Sequence, residues 1–325
     1  MPVRTETRTM LASDEATAAA VRRLADGGLV AFPTETVYGL GADATNAEAI
    51  ARLYLAKGRP SFNPLIAHVG DRIAAQRIAR FDANAEKLAN AFWPGPLTLV
   101  LPRAADCPVA ELATAGLETI AMRVPAHPIA RDILSTFGKP VVAPSANVSG
   151  HVSPTTAQHV EADLKGKIDL IVDGGPTQVG LESTIVGCFE TPLLLRPGGL
   201  ARGEIESVLR MRLADLPQFE TTAQPLAPGM LASHYAPRSP VRLNATTLEP
   251  GEALLAFGTP AVAGVDKAAA ILNLSTRGDL VEAAANLFRH LRELDAKDAI
   301  QIAVMPIPNE GLGEAINDRL RRAAV

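Results

Sequence analysis

Apolar and polar positions along this chain switch repeatedly between a period near two and a period near 3.6, which predicts a succession of short strands and amphipathic helices. Ser13 suits an N-cap, and Asp14 and Glu15 match the positive end of a helix. The following Ala-rich stretch predicts a helix to residue 26, stopped by Gly27-Gly28. Apolar residues at 29–34 predict a buried strand, 46–57 a second helix and 64–69 a strand. Helices are expected near 71–80 and 84–92, strands at 97–101 and 118–124, a helix at 128–137 and a strand at 140–144. A helix near 155–165 and a strand at 168–175 follow. The runs STIVGCFE and PLLLRPGG, split by Thr191-Pro192, predict two adjacent strands. This alternation through about residue 212, with hairpin-like adjacency near 183–198, predicts an α/β protein with a mixed sheet.

The pattern breaks at 213–240. Pro217, Pro225, Pro228, Pro237 and Pro240 punctuate a stretch with little periodicity, which predicts an extended, semi-rigid linker. Beyond it VRLNA, ALLAFG, AAILNLS and AIQIAVMPI predict strands, and 279–298 and 313–324 helices. Two domains are therefore expected, 1–212 and 241–325, joined by the linker at 213–240. A length of 325 residues agrees, being too great for one small core. Aromatic residues make up only 4% against 47% hydrophobic overall, so the interior is built from small aliphatic side chains, as in α/β proteins.

Charge narrows the function classes. The formal net charge is −4, and residues 1–210 hold 20 basic against 22 acidic side chains. Bulk electrostatics thus point away from a nucleic-acid-binding domain, although a sum cannot see local clustering. Cys107 and Cys188 lie far apart with no CxxC, which predicts two unpaired core or near-core thiols in a reducing cytoplasm. The N-terminus is polar and no apolar run approaches about 18 residues, so neither a secretory signal nor a membrane span is expected.

Several common chemistries are excluded by motif. Gly138-Lys139 is followed by Pro140 and Gly166-Lys167 by Ile168, so there is no Walker phosphate loop. GxGxxG after a strand, GxSxG and HExxH are absent, and the six histidines lack ligand spacing. What stands out is a set of polar segments at strand ends. PTETVYGLG (33–41) reads as a loop whose hydroxyls and glycines suit a small polar ligand, or equally as an ordinary β–α turn. In AKGRPSFNPLIAH (56–68), Lys57 and Arg59 make an anion site at a helix end, where basic residues are also favoured for purely helical reasons. His68, on an apolar strand, reads by itself as a hydrogen-bonded core residue. Arg123 lies in the apolar strand ETIAMRV and needs a carboxylate partner, from the protein or from a ligand. PSANVSGHVSPT (144–155) can wrap phosphate or ribose oxygens, or form a surface turn. GLESTIV and LRPGG add Ser183 and Arg196.

In order and approximate spacing, PTETVYGLG, KGRP with NPLIAH, WPGPLTLVL, AMRVPAHP, APSANVSGHVSPT, DGGPTQVGLESTIV and LRPGG resemble the YrdC/Sua5 family over roughly residues 14–212. PGM…HYAP (228–237) and the small C-terminal α/β domain resemble the longer, two-domain Sua5 form. Leu231-Ala232-Ser233 departs from it, since a basic residue before the His is expected there. The resemblance implies a YrdC-like twisted mixed sheet with flanking helices and a Rossmann-like C-terminal domain. It implies a nucleotidyltransferase, an L-threonylcarbamoyladenylate synthase. Threonine, bicarbonate and ATP give threonylcarbamoyl-AMP and pyrophosphate, and a downstream transfer enzyme modifies adenosine 37 of tRNAs decoding ANN codons.

Carried over by position, Lys57, Arg59, Ser145 and Asn147 would hold the triphosphate. Asn63, Thr119, Ala143 (through its backbone), Ser153 and Arg196 would contact the nucleotide, and His234 and Tyr235 would cover it. Thr36, His68, Arg123 and Ser183 would contact threonine, with Arg123 on its carboxylate. No protein nucleophile is expected, and Mg²⁺ would be held mainly by phosphates and water. Three alternatives stay open: an RNA- or nucleotide-binding protein on the same fold, with weak RNA contact; a carbamoyl-phosphate-using relative of the hydrogenase-maturation type; and a paralogue that kept the fold without the synthesis. The second lacks support, because the CxxC zinc motifs and acylphosphatase-like segment of such proteins are missing. The intact KGR and SAN signatures argue against the third.

Overall fold

A computed structural model of the chain describes residues 5–215, 234–260 and 262–325. The linker prolines Pro217, Pro225 and Pro228 and the departure at 231–233 lie outside the described residues.

The larger sheet takes strands from residues 8–215. In chain order its elements are β1 (Arg8–Leu11), α1 (Asp14–Ala25), β2 (Val30–Pro33), β3 (Tyr38–Asp43), α2 (Ala47–Lys57), β4 (Ile66–His68) and α3 (Arg72–Gln76). Then come α4 (Ala83–Phe92), β5 (Leu97–Pro102), α5 (Glu111–Thr114), β6 (Thr119–Arg123), α6 (Pro128–Phe137), β7 (Val141–Val142) and α7 (Ala157–Leu164). β8 (Leu170–Asp173), β9 (Thr184–Gly187), β10 (Leu193–Arg196), α8 (Arg202–Leu209) and β11 (Ala214–Asp215) complete it. The strand order is β1-β8-β2-β3-β7-β4-β6-β5-β9-β10-β11, with parallel and antiparallel pairs mixed. The expected mixed α/β architecture is what the chain adopts.

The local signals explain most of these elements. Ser13 Oγ accepts from the Ala16 amide at 3.2 Å, and Asn46 Oδ1 accepts from the Glu48 and Ala49 amides at the start of α2. Gly58 ends α2 in the left-handed region at φ 60°. The main correction concerns 33–41, expected as a loop. Its second half is β3, antiparallel to β2. The two glycines hide the strand pattern, yet the packing needs them: a Cβ on Gly41 would sit 2.7 Å from the Phe32 ring and one on Gly39 3.1 Å from Ala143 Cβ. β1 and β11 were not expected, nor were the short helices α5 and α8; β1 is fixed by β8, distant in sequence, and β11 by β10, the strand before it. The strand expected at 140–144 shrinks to two residues, and the helix expected at 71–80 to five.

The second sheet is formed by β12 (Val241–Arg242), β13 (Glu252–Ala256), β14 (Ala270–Asn273) and β15 (Gln301–Val304), accompanied by α9 (Leu280–Asp295) and α10 (Gly313–Ala323). Its order is β12-β15-β13-β14 and every pair is parallel, the Rossmann-like arrangement expected. Leu287, Phe288, Leu291 and Leu294 of α9 cover one face of it.

The two sheets are joined by close contact. Gly180 lies at φ 72°, with the position of a Cβ only 2.4 Å from the Ala284 carbonyl of α9. Arg292 of α9 pairs with Asp163 of α7 at 2.9 Å, and Arg202 of α8 reaches Glu314 of α10 at 2.7 Å. Val37, Val152 and Leu181 of the first part belong to the same apolar cluster as the core of the second.

Candidate active site

Strand register builds the centre of the site. β4 and β6 run parallel with Ile66 opposite Ala121 and His68 opposite Arg123, so His68 and Arg123 stand abreast. The β7 strand ends beside them, and the Ala143 amide donates to the Ile66 carbonyl. Antiparallel β3 brings Gly39 against Ser145. From the other side β5 and β9 pair in parallel, which lets Ser183 and Thr98 share a hydrogen bond at 2.7 Å. β10, antiparallel to β9, delivers Arg196.

One cavity collects these groups. Its walls include Thr34, Thr36, Gly39, Arg59, His68, Arg123, Ala143, Ser145, Glu182, Ser183, Arg196, His234 and Tyr235. Ten of the expected site residues are therefore neighbours: Thr36, Arg59, His68, Arg123, Ala143, Ser145, Ser183, Arg196, His234 and Tyr235. The other five sit differently. Lys57 is buried, its Nζ donating to the Ser145 and Asn147 carbonyls, so it ties the hydroxyl-rich loop to the end of α2. Asn147 donates to the Val148 and His151 carbonyls. Ser153 donates to Glu182 at 2.5 Å. Asn63 is buried beside Arg59, which donates to its carbonyl. Thr119 opens β6, two and four residues before Ala121 and Arg123, and so shares their face of the sheet.

Burial sets the electrostatics. Arg123 donates to Thr36 Oγ1 at 2.9 Å and to the Gly95 carbonyl, and pairs with Glu35 at 2.6 Å. The partner demanded by its apolar strand is thus a carboxylate of the protein. Burial pushes the Glu35 carboxyl up, but Arg123 outweighs it and holds the group below its ordinary value. Burial, and Arg123 after it, push His68 down to about 3, so its ring is neutral near neutral pH. Burial lowers Arg59 to about 10, which leaves it charged. Burial and nearby Arg59 hold the Lys57 ammonium well below its usual range. Arg196 is anchored by the Ser183 carbonyl at 2.7 Å and by its hydroxyl at 3.2 Å.

Three contributors escape a reading of the sequence. Glu35 and Glu182 stand inside quoted motifs, each next to an expected residue, and only the folded packing shows that they are buried beside cations. Arg319 comes from α10; its one linear signal is a place on the apolar stripe with Ala315, Ile316, Leu320 and Ala323. Among the described residues no group of three or more His, Cys, Asp or Glu is placed to hold a metal ion, and no hydroxyl of the cavity is hydrogen-bonded to a histidine. Cys107 and Cys188 are both free, and burial pushes the Cys188 thiol up to about 12.

A family model described as telomere recombination, of the Sua5, YciO and YrdC proteins, matches residues 22–198. A second, described as the C-terminal domain of threonylcarbamoyl-AMP synthase, matches residues 200–325. The chain belongs to the Sua5 family. Among Sua5 relatives, the threonylcarbamoyl-AMP synthase of Bacillus subtilis (strain 168) is 41% identical over 96% of this chain and 94% of its own length. That of Pyrococcus abyssi (strain GE5 / Orsay) is 42% identical over 92% of this chain and 91% of its own. The crystal structure of P. abyssi Sua5 complexed with L-threonine superposes with a TM-score of 0.88, at 37% identity, over 98% of both chains.

Proposed function

We infer that this protein is a nucleotidyltransferase that makes L-threonylcarbamoyl-AMP from L-threonine, bicarbonate and ATP. The observation that carries the reading is the convergence of Arg59, Arg123 and Arg196 with the hydroxyls of Thr34, Thr36, Ser145 and Ser183 on one cavity. Such a wall suits a substrate pair bearing one carboxylate and several phosphate oxygens. The threonine nitrogen attacks CO₂ derived from bicarbonate, forming the N–C bond of a carbamate and releasing a proton. A carbamate oxygen then attacks the α-phosphorus of ATP, the bond from that phosphorus to the bridging oxygen breaks, and pyrophosphate departs. No step calls for a nucleophile from the protein, which needs to orient both substrates, neutralise developing charge and exclude water.

In this reading Arg123 and Thr36 face the amino acid with His68 and Ser183. Arg59, Arg196 and Ser145 face the phosphates, and Lys57 with Asn147 shapes the loop beneath them. Asn63, Thr119, Ala143, Ser153, His234 and Tyr235 frame the nucleotide. ATP is taken as its magnesium complex, the ion carried mainly by phosphates and water; among the described residues no group of three or more His, Cys, Asp or Glu is gathered to hold it. The division into a catalytic domain at 1–212, a linker at 213–240 and a C-terminal domain at 241–325 belongs to the same proposal. So do a cytoplasmic place of work and hand-over to the tRNA-transfer enzymes. Among the described residues no helix is long and apolar enough to cross a membrane.

Pyrophosphate release from MgATP tests the reading. Release that requires both threonine and bicarbonate, and that falls sharply in Lys57→Ala, is expected. Release driven by carbamoyl phosphate instead would move the chain to the carbamoyl-transfer branch. No release in either mixture would leave a nucleotide or RNA binder on this fold.

A further inference from the structure

Glu182 joins the two halves of the molecule. Its Oε1 accepts from Ser153 Oγ at 2.5 Å, within the first domain, and its Oε2 accepts from Arg319 Nε at 2.8 Å, from α10 of the second. A carboxylate offers about four acceptor positions, so two are left beyond these bonds on a residue that lines the cavity. Arg319 is fully buried. It also pairs with Asp318 at 2.6 Å, and its guanidinium lies 5.1 Å from the centre of the Tyr235 ring. Tyr235 holds a left-handed φ of 65° and stacks on Phe288 of α9 at 5.5 Å.

The segment bearing Glu182 is gripped from both sides. Ser183 and the Glu182 carbonyl are bound within the first domain, by Thr98, Arg196 and the Gly199 amide. Gly180 rests on the backbone of α9. An apolar side chain of similar length on the α10 stripe would bury as well without desolvating a pair of charges. What the charged pair adds is a fixed position for the Glu182 carboxylate.

We propose that Arg319 is a positioning residue of the substrate cleft, through which the second domain holds Glu182, and with it Ser183, in the form that receives the amino acid. The proposal rests on the reading above for the identity of that ligand. Glu182 presents its free acceptor positions to the ammonium or hydroxyl of the incoming amino acid. The small domain thereby completes the site without lending it a substrate-contacting group.

Calorimetric titration of L-threonine into the full chain, with α,β-methylene-ATP in place of ATP so that the α–β bridge cannot break, is the test, because it reads binding without turnover. Arg319→Met is expected to weaken threonine roughly tenfold, the scale of one charged hydrogen bond. Arg319→Lys should recover part of the loss, and Glu182→Gln should reproduce it. The double variant should be no weaker than the weaker single variant by more than about twofold, since both changes break one interaction. A folded Arg319→Met with wild-type affinity, or a double variant whose loss is the product of the two, would overturn the proposal. Should Arg319→Met fail to fold, the same cycle run with Arg319→Lys and Glu182→Gln decides it, and a full product of losses again overturns it. Wild type that binds threonine but releases no pyrophosphate sinks the proposed reaction and leaves this cycle decisive. Wild type that releases pyrophosphate while Arg319→Met stays unchanged sinks the positioning role alone.

Discussion

Arg123 shows how one side chain serves the fold and the site together. Its ion pair with Glu35 is buried, so Arg123→Ala strands a carboxylate and is expected to cost about 3–5 kcal/mol in urea unfolding. Adding Glu35→Gln should return much of that stability, because no buried charge is left alone. The threonine KM should stay raised by tens-fold in both variants, the loss of one charge-assisted carboxylate contact being typically ~1.5–3 kcal/mol. An unchanged KM in the stable double variant would remove Arg123 from the threonine site. His68 gives a pH signature. Its folded value of about 3 lies below the ordinary 6.5, so between those values the unfolded chain binds a proton that the folded chain does not. The contribution is fully present above about pH 6.5 and is lost as pH falls toward about 3, at up to ~1.4 kcal/mol per pH unit. His68→Gln should flatten the fall in unfolding free energy from pH 6 to pH 4; an unaltered slope would mean that His68 titrates normally in the fold.

At the scale of elements, what is written locally was legible. Ser13, Asn46, Asp82 and Thr156 each cap a helix through a side-chain oxygen, and their identities and spacing are visible in the linear sequence. Asn46→Ala removes both acceptor bonds at the start of α2 and should lower stability by about 1 kcal/mol. A larger loss, with weaker ATP binding, would show that the cap also sets the place of Lys57 at the other end. β3 was not legible, because glycine carries no hydrophobic signal and its value there is the absence of a Cβ against Phe32 and Ala143. β1 was hidden for another reason: it is a strand only because β8, distant in sequence, offers it an edge.

For the molecule as a whole, the contact between the two domains is the feature with most bearing on the site. Gly180 and Gly58 both have left-handed backbone, but only Gly180 faces another backbone within 4 Å. Gly58→Ala should therefore cost about 1 kcal/mol, for conformation alone. Gly180→Ala should cost about 2–4 kcal/mol, because the methyl group also displaces α9. Equal urea midpoints for the two would mean that the docking seen here yields easily. Threonine affinity should fall in Gly180→Ala and hold in Gly58→Ala, since only the former disturbs the segment carrying Glu182 and Ser183.

By itself the sequence determined the α/β class, the starts of most of the helices and the motifs bearing most of the cavity's hydroxyls and cations. These are local properties, fixed by period, caps and short-range chemistry. Only the tertiary structure decided that His68 and Arg123 stand abreast, that Glu35 answers Arg123, and that Lys57 is buried with its ammonium on the Ser145 and Asn147 carbonyls. It alone decided that Arg319, on a helix that ends the chain, reaches Glu182. Those facts depend on strand register and on the docking of one sheet against another. Both are set by contacts between residues far apart in sequence, which no linear pattern encodes.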